Sequence, residues 1–92
     1  MVFEWDPSKS QTNKEKHGID FEAAKALWED PDRLEILAPD PIENRTILIG
    51  VIHRQLWTAI YAVRGRAVRI ISVRRSRKKE KALYEKEKFG TK

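Results

Sequence analysis

The sequence predicts a single α+β domain in which helices pack on a twisted antiparallel sheet. Three features predict this fold: two capped helical segments near the N-terminus, a series of β-branched and aromatic segments joined by short turns, and a lysine-rich helical segment at the C-terminus. A chain of 92 residues can form one hydrophobic core, so we assign residues 1–92 to one domain. The predicted element order is β-α-α-β-β-β-β-α.

The first two elements are a short strand and a polar helix. Apolar and polar side chains alternate over Phe3–Trp5, which predicts a strand. Asp6 suits an N-cap and Pro7 the first position of a helix, which we expect to end near residue 16 with Gly18 as its left-handed terminator. This helix has no large apolar side chain, so it is either peripheral or presents polar groups. One face of it carries Lys9, Asn13, Lys16 and His17.

A second helix and a weak strand follow. Asp20 caps a helix over about Phe21 to Glu29, which ends at Asp30-Pro31. Its predicted buried stripe is Phe21, Ala24, Leu27 and Trp28. A weak strand is expected from Leu34 to Leu37, and Pro39–Pro41 is a loop and the segment we expect to be most mobile.

The second half of the chain is predicted to be a three-stranded meander and a basic helix. The strands are Arg45 to Ile52, Leu56 through Val63, and Ala67 through Arg74, with turns at residues 53–54 and 64–66. Ser76 is the predicted N-cap of a last helix from Arg77 to Lys88. Glu80 lies one position too late for a capping box with that cap. The apolar side chains of this helix region are few: Ala82, Leu83, Tyr84 and Phe89.

Composition excludes several classes of protein. The chain has no cysteine, and its two histidines, His17 and His53, are far apart, so we expect no disulfide, no metal site and no cofactor. We see no signal peptide and no apolar run of the ~20 residues that span a membrane. The expected location is the cytoplasm.

Charge is distributed unevenly. From Arg64 to Lys88 the sequence has eleven Lys and Arg against three Glu, a net charge of +8, whereas the rest of the chain carries −3. Such an asymmetry indicates an anionic partner on one face, and nucleic-acid phosphates are the natural candidate. The simpler alternative is a solvated basic helix.

One chemistry suits the residues present, which is cleavage of RNA by its own 2′-hydroxyl. That reaction needs a proton-transfer group and cations around the phosphorane, but no protein nucleophile. His17, beside Lys16, is the candidate proton-transfer group, and Tyr84 is a candidate for contacting the phosphate or a base. Arginines on or just after the last strand are candidate phosphate clamps, namely Arg69, Arg74 and Arg75.

Each of these candidates has a structural alternative. A histidine at a helix end can be a cap, edge-strand arginines can keep the edge soluble, and Tyr84 can simply pack. Strand alternation places Arg69 and Arg74 on opposite faces of the sheet unless a bulge intervenes. Spacing alone does not decide which face meets RNA.

The sequence closely resembles the BrnT family, the toxin halves of type II toxin–antitoxin modules. The resemblance covers about Phe3 to Glu85, and no single motif is diagnostic. The residues that carry it are Phe3-Glu4-Trp5-Asp6, Asn13, Lys16-His17-Gly18, Phe21-Glu22, Ala24, Asp30-Pro31, Ile49-Gly50, Arg69-Ile70-Ile71-Ser72, Arg74, Glu80 and Tyr84-Glu85. The chain departs from the family pattern at Val73 and Ser76, where alanine is usual, and at the His53-Arg54 hairpin.

The resemblance implies a RelE-like fold and a ribonuclease that arrests translation. It also implies an antitoxin with a ribbon-helix-helix DNA-binding part, which neutralises the toxin and with it represses their operon, so that the toxin meets operator DNA only through the antitoxin. The positions that match are Lys16, His17, Arg69, Ser72, Arg74, Glu80 and Tyr84, without individual roles.

Together, the residues and the resemblance predict a metal-independent endoribonuclease. The predicted catalytic residues are Lys16, His17, Arg69, Arg74 and Tyr84. The predicted RNA-binding residues are Lys9, Asn13, Arg64, Arg75, Arg77 and Lys78. The alternative is a non-catalytic nucleic-acid-binding module or a partner-dependent transcription regulator, although the sequence has no helix-turn-helix or zinc-finger pattern.

Overall fold

The structure, a computed structural model, describes residues 1–90 and contains five strands and three α-helices in that range. The strands are β1 (Val2–Glu4), β2 (Leu34–Ala38), β3 (Arg45–Ile52), β4 (Gln55–Arg64) and β5 (Ala67–Arg75). The helices are α1 (Pro7–His17), α2 (Phe21–Ala24) and α3 (Lys78–Phe89), and a 3₁₀ helix (Lys25–Glu29) continues α2. This order confirms the predicted α+β fold, while the RelE-like label stays a prediction.

The five strands form one mixed sheet in the order β1-β5-β4-β3-β2. Strands β2 to β5 form the predicted antiparallel meander. The expectation of a wholly antiparallel sheet was wrong, because β1 pairs in parallel with β5, Val2 lying opposite Ala67 and Glu4 opposite Arg69. Local turn signals reveal hairpins, but they carry no information about a strand that returns to the sheet across more than sixty intervening residues.

A two-residue turn joins β3 to β4 at the predicted place. His53 and Arg54 both have positive φ, 50° and 67°, which is the backbone of a type I′ turn. That turn matches the right-handed twist of the flanking strands, so the hairpin forms although neither residue is glycine.

Helix α1 has the predicted caps. The Asp6 carboxylate accepts a bond from the Ser8 backbone N–H at 2.9 Å, and Gly18, at φ 80°, donates its N–H to the Lys14 carbonyl. No apolar stripe attaches this helix to the sheet; its buried side chains are Ser10 and Asn13. Ser10 Oγ accepts the N–H of Phe21 at 2.9 Å, which joins α1 to the start of α2.

The core lies between the sheet and the layer formed by α1, α2 and the 3₁₀ helix. Phe21, Ala24 and Leu27 of the predicted stripe are fully buried, and they pack with Ala59 and Val73 of the sheet. The 3₁₀ helix approaches β3 closely at Gly50, where a Cβ atom would lie 3.1 Å from Leu27 Cδ2. A side chain at position 50 would therefore require Leu27 to shift by a few tenths of an ångström.

The start of α3 differs from the prediction. Its N-cap is Arg77, not Ser76, and Glu80 stands at the third helical position, where its carboxylate accepts the Arg77 N–H at 2.7 Å. Ser76 is buried, and its hydroxyl bonds to Thr58 Oγ1 at 2.8 Å. The hydroxyl that would have capped the helix is used to fasten the chain to β4 instead.

Candidate functional site

A polar pocket of about 280 Å³ lies between α1 and β5. Successive turns of α1 contribute short hydroxyl side chains and long cationic side chains to one wall, and β5 forms the opposite wall. The lining residues are Ser8, Lys9, Thr12, Asn13, Lys16, His17, Ile71 and Ser72. All four residues of the predicted α1 face therefore meet in one concavity, as their helical spacing indicated: Lys9, Asn13, Lys16 and His17.

Asn13 forms the floor of this pocket and is 6% exposed. Its Oδ1 accepts the backbone N–H of Val73 at 3.1 Å, and its Nδ2 donates to the Ile19 carbonyl at 2.8 Å. Strand β1 covers β5 only as far as Arg69, so Asn13 provides a partner for the β5 edge beyond that point. An RNA-binding role for Asn13 stays a prediction, and both polar atoms of its amide are already bonded within the protein.

The lysines of the pocket form no close ion pair with another residue in the part of the chain that the structure describes. None of the ion pairs found within residues 1–90 includes Lys9 or Lys16. Hydroxyl groups of Ser8, Thr12 and Ser72 surround the same space. The Ser8 hydroxyl already donates to the Asp6 carboxylate at 2.8 Å. The two lysines together with the Thr12 and Ser72 hydroxyls are therefore the part of this arrangement that favours an anion such as a phosphate.

A β-bulge in β5 changes which arginines share a face. Ser72 pairs with Ile60, but Ile70 pairs with Tyr61, so β5 has one extra residue, Ile71, relative to β4. Beyond the bulge the alternation is inverted, and Arg69 and Arg74 both lie on the sheet face opposite α1 and α2. Regular alternation would have separated them. Their partners on β4 are four residues apart, which places the two arginines about 13 Å from each other.

Arg74 is held by Glu80 in a bidentate pair. The Arg74 guanidinium donates to the two carboxylate oxygens of Glu80 at 2.8 and 2.7 Å. Glu80 also accepts the Thr58 hydroxyl at 3.0 Å. The guanidinium is the main reason that the pKa of Glu80 falls to about 2, with the Arg77 N–H and the Thr58 hydroxyl acting in the same direction against the effect of burial. Arg74 is therefore fixed in direction and partly neutralised.

Tyr84 is buried, with 3% of its surface exposed. Its hydroxyl donates to Asp30 Oδ2 at 2.7 Å, and the same oxygen accepts the Val51 N–H at 3.0 Å. Burial, together with the nearby Asp30 carboxylate, raises the pKa of Tyr84. For Asp30, burial raises the pKa, but the bonds from Tyr84 and from the Asp32 and Val51 N–H groups outweigh it and lower the pKa. Tyr84 anchors α3 to the body, and a catalytic role for it stays a prediction.

The other predicted residues are spread over the basic surface. Arg69 pairs with Glu4 at 3.1 Å, and Arg64 pairs with Glu43 at 3.0 Å. The Arg75 guanidinium lies 5.4 Å from the ring centre of Trp57. Arg77 and Lys78 are exposed where α3 begins. The structure thus separates the predicted site into the α1 pocket, with Lys9, Lys16 and His17, and a sheet face with Arg69 and Arg74.

Sequence reasoning missed the hydroxyls of Ser8 and Thr12 in the α1 pocket. They are four residues apart, next to the stripe of Lys9 and Lys16, so the same helical period could have identified them. It also missed Asp30 and Thr58, which hold Tyr84 and Glu80, because contacts between distant elements leave no local signal.

Within residues 1–90 no group of three His, Cys, Asp or Glu side chains is placed to hold a metal ion. Over the same part of the chain, no helix is long and apolar enough to cross a membrane. The groups that converge are cationic, hydroxylic and imidazole, which is a set suited to a phosphate ester and to proton transfer.

Comparison with known proteins agrees with this chemistry. No curated protein matches the sequence. A family model described as "Ribonuclease toxin, BrnT, of type II toxin-antitoxin system" matches residues 5–80. That range includes the whole α1 pocket, the β5 bulge and the Arg74–Glu80 pair. The chain therefore belongs to the BrnT family, the ribonuclease toxins of type II toxin–antitoxin systems.

Proposed function

We propose that this toxin cleaves RNA in the α1 pocket without a metal ion, through attack of a ribose 2′-hydroxyl on the adjacent phosphorus. The observation that carries the proposal is the pocket itself, in which His17 lies among Lys9, Lys16 and three hydroxyl side chains with no carboxylate in its lining. A phosphate placed there would meet positive charge and hydrogen-bond donors on several sides.

In the proposed reaction His17 removes the proton of the 2′-hydroxyl. The 2′-oxygen then bonds to phosphorus, and the bond from phosphorus to the 5′-oxygen breaks. The leaving 5′-oxygen takes up a proton from water, and His17 returns its proton to water, so the products are a 2′,3′-cyclic phosphate and a 5′-hydroxyl. Lys16 and Lys9 stabilise the negative charge that builds up on the phosphorane. Such electrostatic stabilisation of the transition state is usually the largest contribution to catalysis.

Arg69 and Arg74 are proposed to contact the RNA backbone on the sheet face. Their ion pairs with Glu4 and Glu80 fix the direction of each guanidinium. An arginine has five N–H donors, so a carboxylate that accepts some of them leaves others for a phosphate. Because the bulge brings both arginines to one face, a single strand could contact both of them near the free edge of β5.

The test is incubation of the purified, antitoxin-free protein with RNA in EDTA. We expect cleavage to continue, with products that end in a 2′,3′-cyclic phosphate and carry a 5′-hydroxyl. Complete loss of cleavage in EDTA, restored by Mg²⁺, would exclude the mechanism. RNA binding without any cleavage under either condition would instead favour a non-catalytic binding module.

A type II toxin has a protein antitoxin, and we propose that here it is a ribbon-helix-helix protein that acts with the toxin as an operon repressor in the cytoplasm. The support is the family membership and the exposed basic surface, which an antitoxin must cover to prevent RNA binding. A short neighbouring reading frame with a ribbon-helix-helix pattern is expected. Operator binding by the complex, and none by the toxin alone, would be measured by gel shift.

A further inference from the structure

A second concavity, of about 380 Å³, lies on the other side of the C-terminal turn of α1. It opens between the helical layer and the β3–β4 hairpin, and its volume lies near the lower end of the range for small-molecule pockets. The residues that matter here are Ile19, Ala26, Ile52, His53, Gln55 and Trp57. We call this concavity the hairpin pocket.

The hairpin pocket combines apolar walls with a polar rim. Ile19, Ile52 and Trp57 are mostly buried and form the walls, whereas the rim residues His53 and Gln55 are exposed on the hairpin. This is the composition of a site for a flat, mostly apolar group with hydrogen-bonding edges.

Arg75 adds an exposed positive charge next to the hairpin pocket. Its guanidinium lies 5.4 Å from the ring centre of Trp57, while the Arg75 side chain itself remains exposed. A guanidinium beside an aromatic ring can stack on a nucleobase or pair with a phosphate. Cation, aromatic ring and edge donors are the elements that recur in sites for single-stranded RNA.

The hairpin pocket and the α1 pocket are neighbours. His17 lines the α1 pocket and Gly18, the next residue, lines the hairpin pocket. Strand β5 also runs from the α1 pocket towards the hairpin pocket, with Ser72 at the first and Arg75 beside Trp57 of the second. These two positions are three residues apart along the strand, a distance of about 10 Å. A strand of RNA whose phosphate lies in the first pocket can place a nearby base in the second.

We propose that the hairpin pocket is a base-binding subsite that receives a nucleobase flanking the cleaved phosphate and thereby sets the sequence preference of the toxin. The assignment rests on the proposed function of the α1 pocket. The base lies against the apolar walls beside Trp57, Gln55 and His53 contact its edge, and Arg75 contacts the base or the adjoining phosphate. Apolar contact supplies affinity, and the edge contacts supply the preference among bases.

The test fills the pocket from its exposed side. Ala26→Phe puts an aromatic ring into the hairpin pocket from a solvent-exposed position, and Ala23→Leu does so from the preceding turn. Ala82→Phe, at an exposed position on α3, is the matched control. Binding is measured by anisotropy with four non-cleavable 2′-O-methyl homopolymers of equal length, one for each base, and thermal unfolding establishes that each variant is folded.

The wild-type protein is expected to bind the four homopolymers with different affinities, according to their base. Ala26→Phe should lower the affinity for the preferred homopolymer by about 5- to 150-fold, the range given by loss of one stacked base. It should also reduce the differences in affinity among the four homopolymers. The dependence on salt should keep its slope, since no phosphate contact is removed. Gln55→Ala should change the ranking more than the mean affinity. Ala82→Phe should behave as wild type.

Equal affinity of folded Ala26→Phe and wild type for all four homopolymers would overturn the proposal. So would a variant that binds RNA normally and loses only its affinity for the antitoxin, because the pocket would then receive a protein side chain. Failure of the proposed catalytic mechanism is a separate result. If the wild-type protein does not cut RNA in EDTA, but Ala26→Phe weakens RNA binding as expected, the subsite is supported and the mechanism is not.

Discussion

Asn13 joins three parts of the chain through one side chain. Its amide links α1 to the free edge of β5 at Val73 and to the Ile19 carbonyl after the helix. A helix without an apolar stripe gains little from hydrophobic burial. Hydrogen bonds from buried side chains to backbone groups supply the attachment instead, and they demand one defined geometry.

Asn13→Ala should destabilise the fold. It leaves the Val73 N–H and the Ile19 carbonyl without their partner in a buried region, and we expect the free energy of unfolding to fall by about 2–3 kcal/mol. Gln11→Ala, an exposed change on the same helix, should stay within about 0.5 kcal/mol of wild type. Urea unfolding measures both, and equal stability of the two variants would show that the amide bonds contribute nothing.

His17 and Arg74 have different proposed roles, and their variants should fail differently. His17→Ala should lower the cleavage rate by about 10²–10⁴ and flatten the pH–rate profile. RNA affinity should hardly change. Lys14→Ala, on α1 but outside the lining of the pocket, is the control. If folded His17→Ala cleaves RNA at the wild-type rate with an unchanged pH profile, His17 has no role in proton transfer and only caps the end of α1.

Arg74→Ala should instead reduce cleavage at every pH, since a guanidinium stays charged throughout. The loss should appear at subsaturating RNA, through weaker binding, because Arg74 lies on the sheet face away from the α1 pocket. RNA affinity should also fall, with a salt slope shallower by about one unit. Cleavage must be expressed per folded molecule, because the variant leaves Glu80 without its partner. An unchanged salt slope would mean that Arg74 serves only the ion pair.

At the scale of elements, α3 is attached mainly through polar contacts. Glu80 bonds to Arg74 and Thr58 at its first turn, and the Tyr84 hydroxyl reaches Asp30 in the middle. Tyr84 was predicted to be one of the few apolar groups of this helix. The structure buries it, while Leu83 and Phe89 stay 45% and 70% exposed.

Glu80 should make the docking of α3 sensitive to acid. Its pKa is about 2 in the fold and 4.5 ordinarily, so the unfolded chain takes up its proton first as the pH falls. The stabilisation is complete above about pH 5 and is lost progressively towards pH 2. We expect a loss of about 1–2 kcal/mol over that range. Glu80→Gln should remove this part of the pH dependence; urea unfolding at pH 7 and pH 3 compares the two proteins.

At the scale of the whole molecule, the antitoxin is expected to cover the basic face and the exposed side of α3. Leu83 and Phe89 are too exposed for an isolated domain to gain from them. Hydrogen exchange of toxin with and without antitoxin should show protection of α3 and the adjoining sheet face, and cleavage should stop. An inhibited complex with unchanged exchange there would mean that the antitoxin acts elsewhere.

The sequence determined the elements of this protein and the stripe of α1 that carries its candidate chemistry. Capping residues, turn residues and hydrophobic period are local, so Asp6, Gly18 and the His53–Arg54 turn were predicted at their observed places. The spacing of Lys9, Lys16 and His17 likewise predicted one face, because the pitch of a helix is fixed whatever it packs against.

Only the tertiary structure decided how those elements combine. The parallel return of β1, the bulge at Ile71, the bonds of Asn13 and the pair between Arg74 and Glu80 all depend on which distant groups meet. A buried donor must find its acceptor wherever the chain has brought one, and that choice is made over the whole fold. For this reason one extra residue in β5 could bring Arg69 and Arg74 to the same face, against the regular alternation of the sequence.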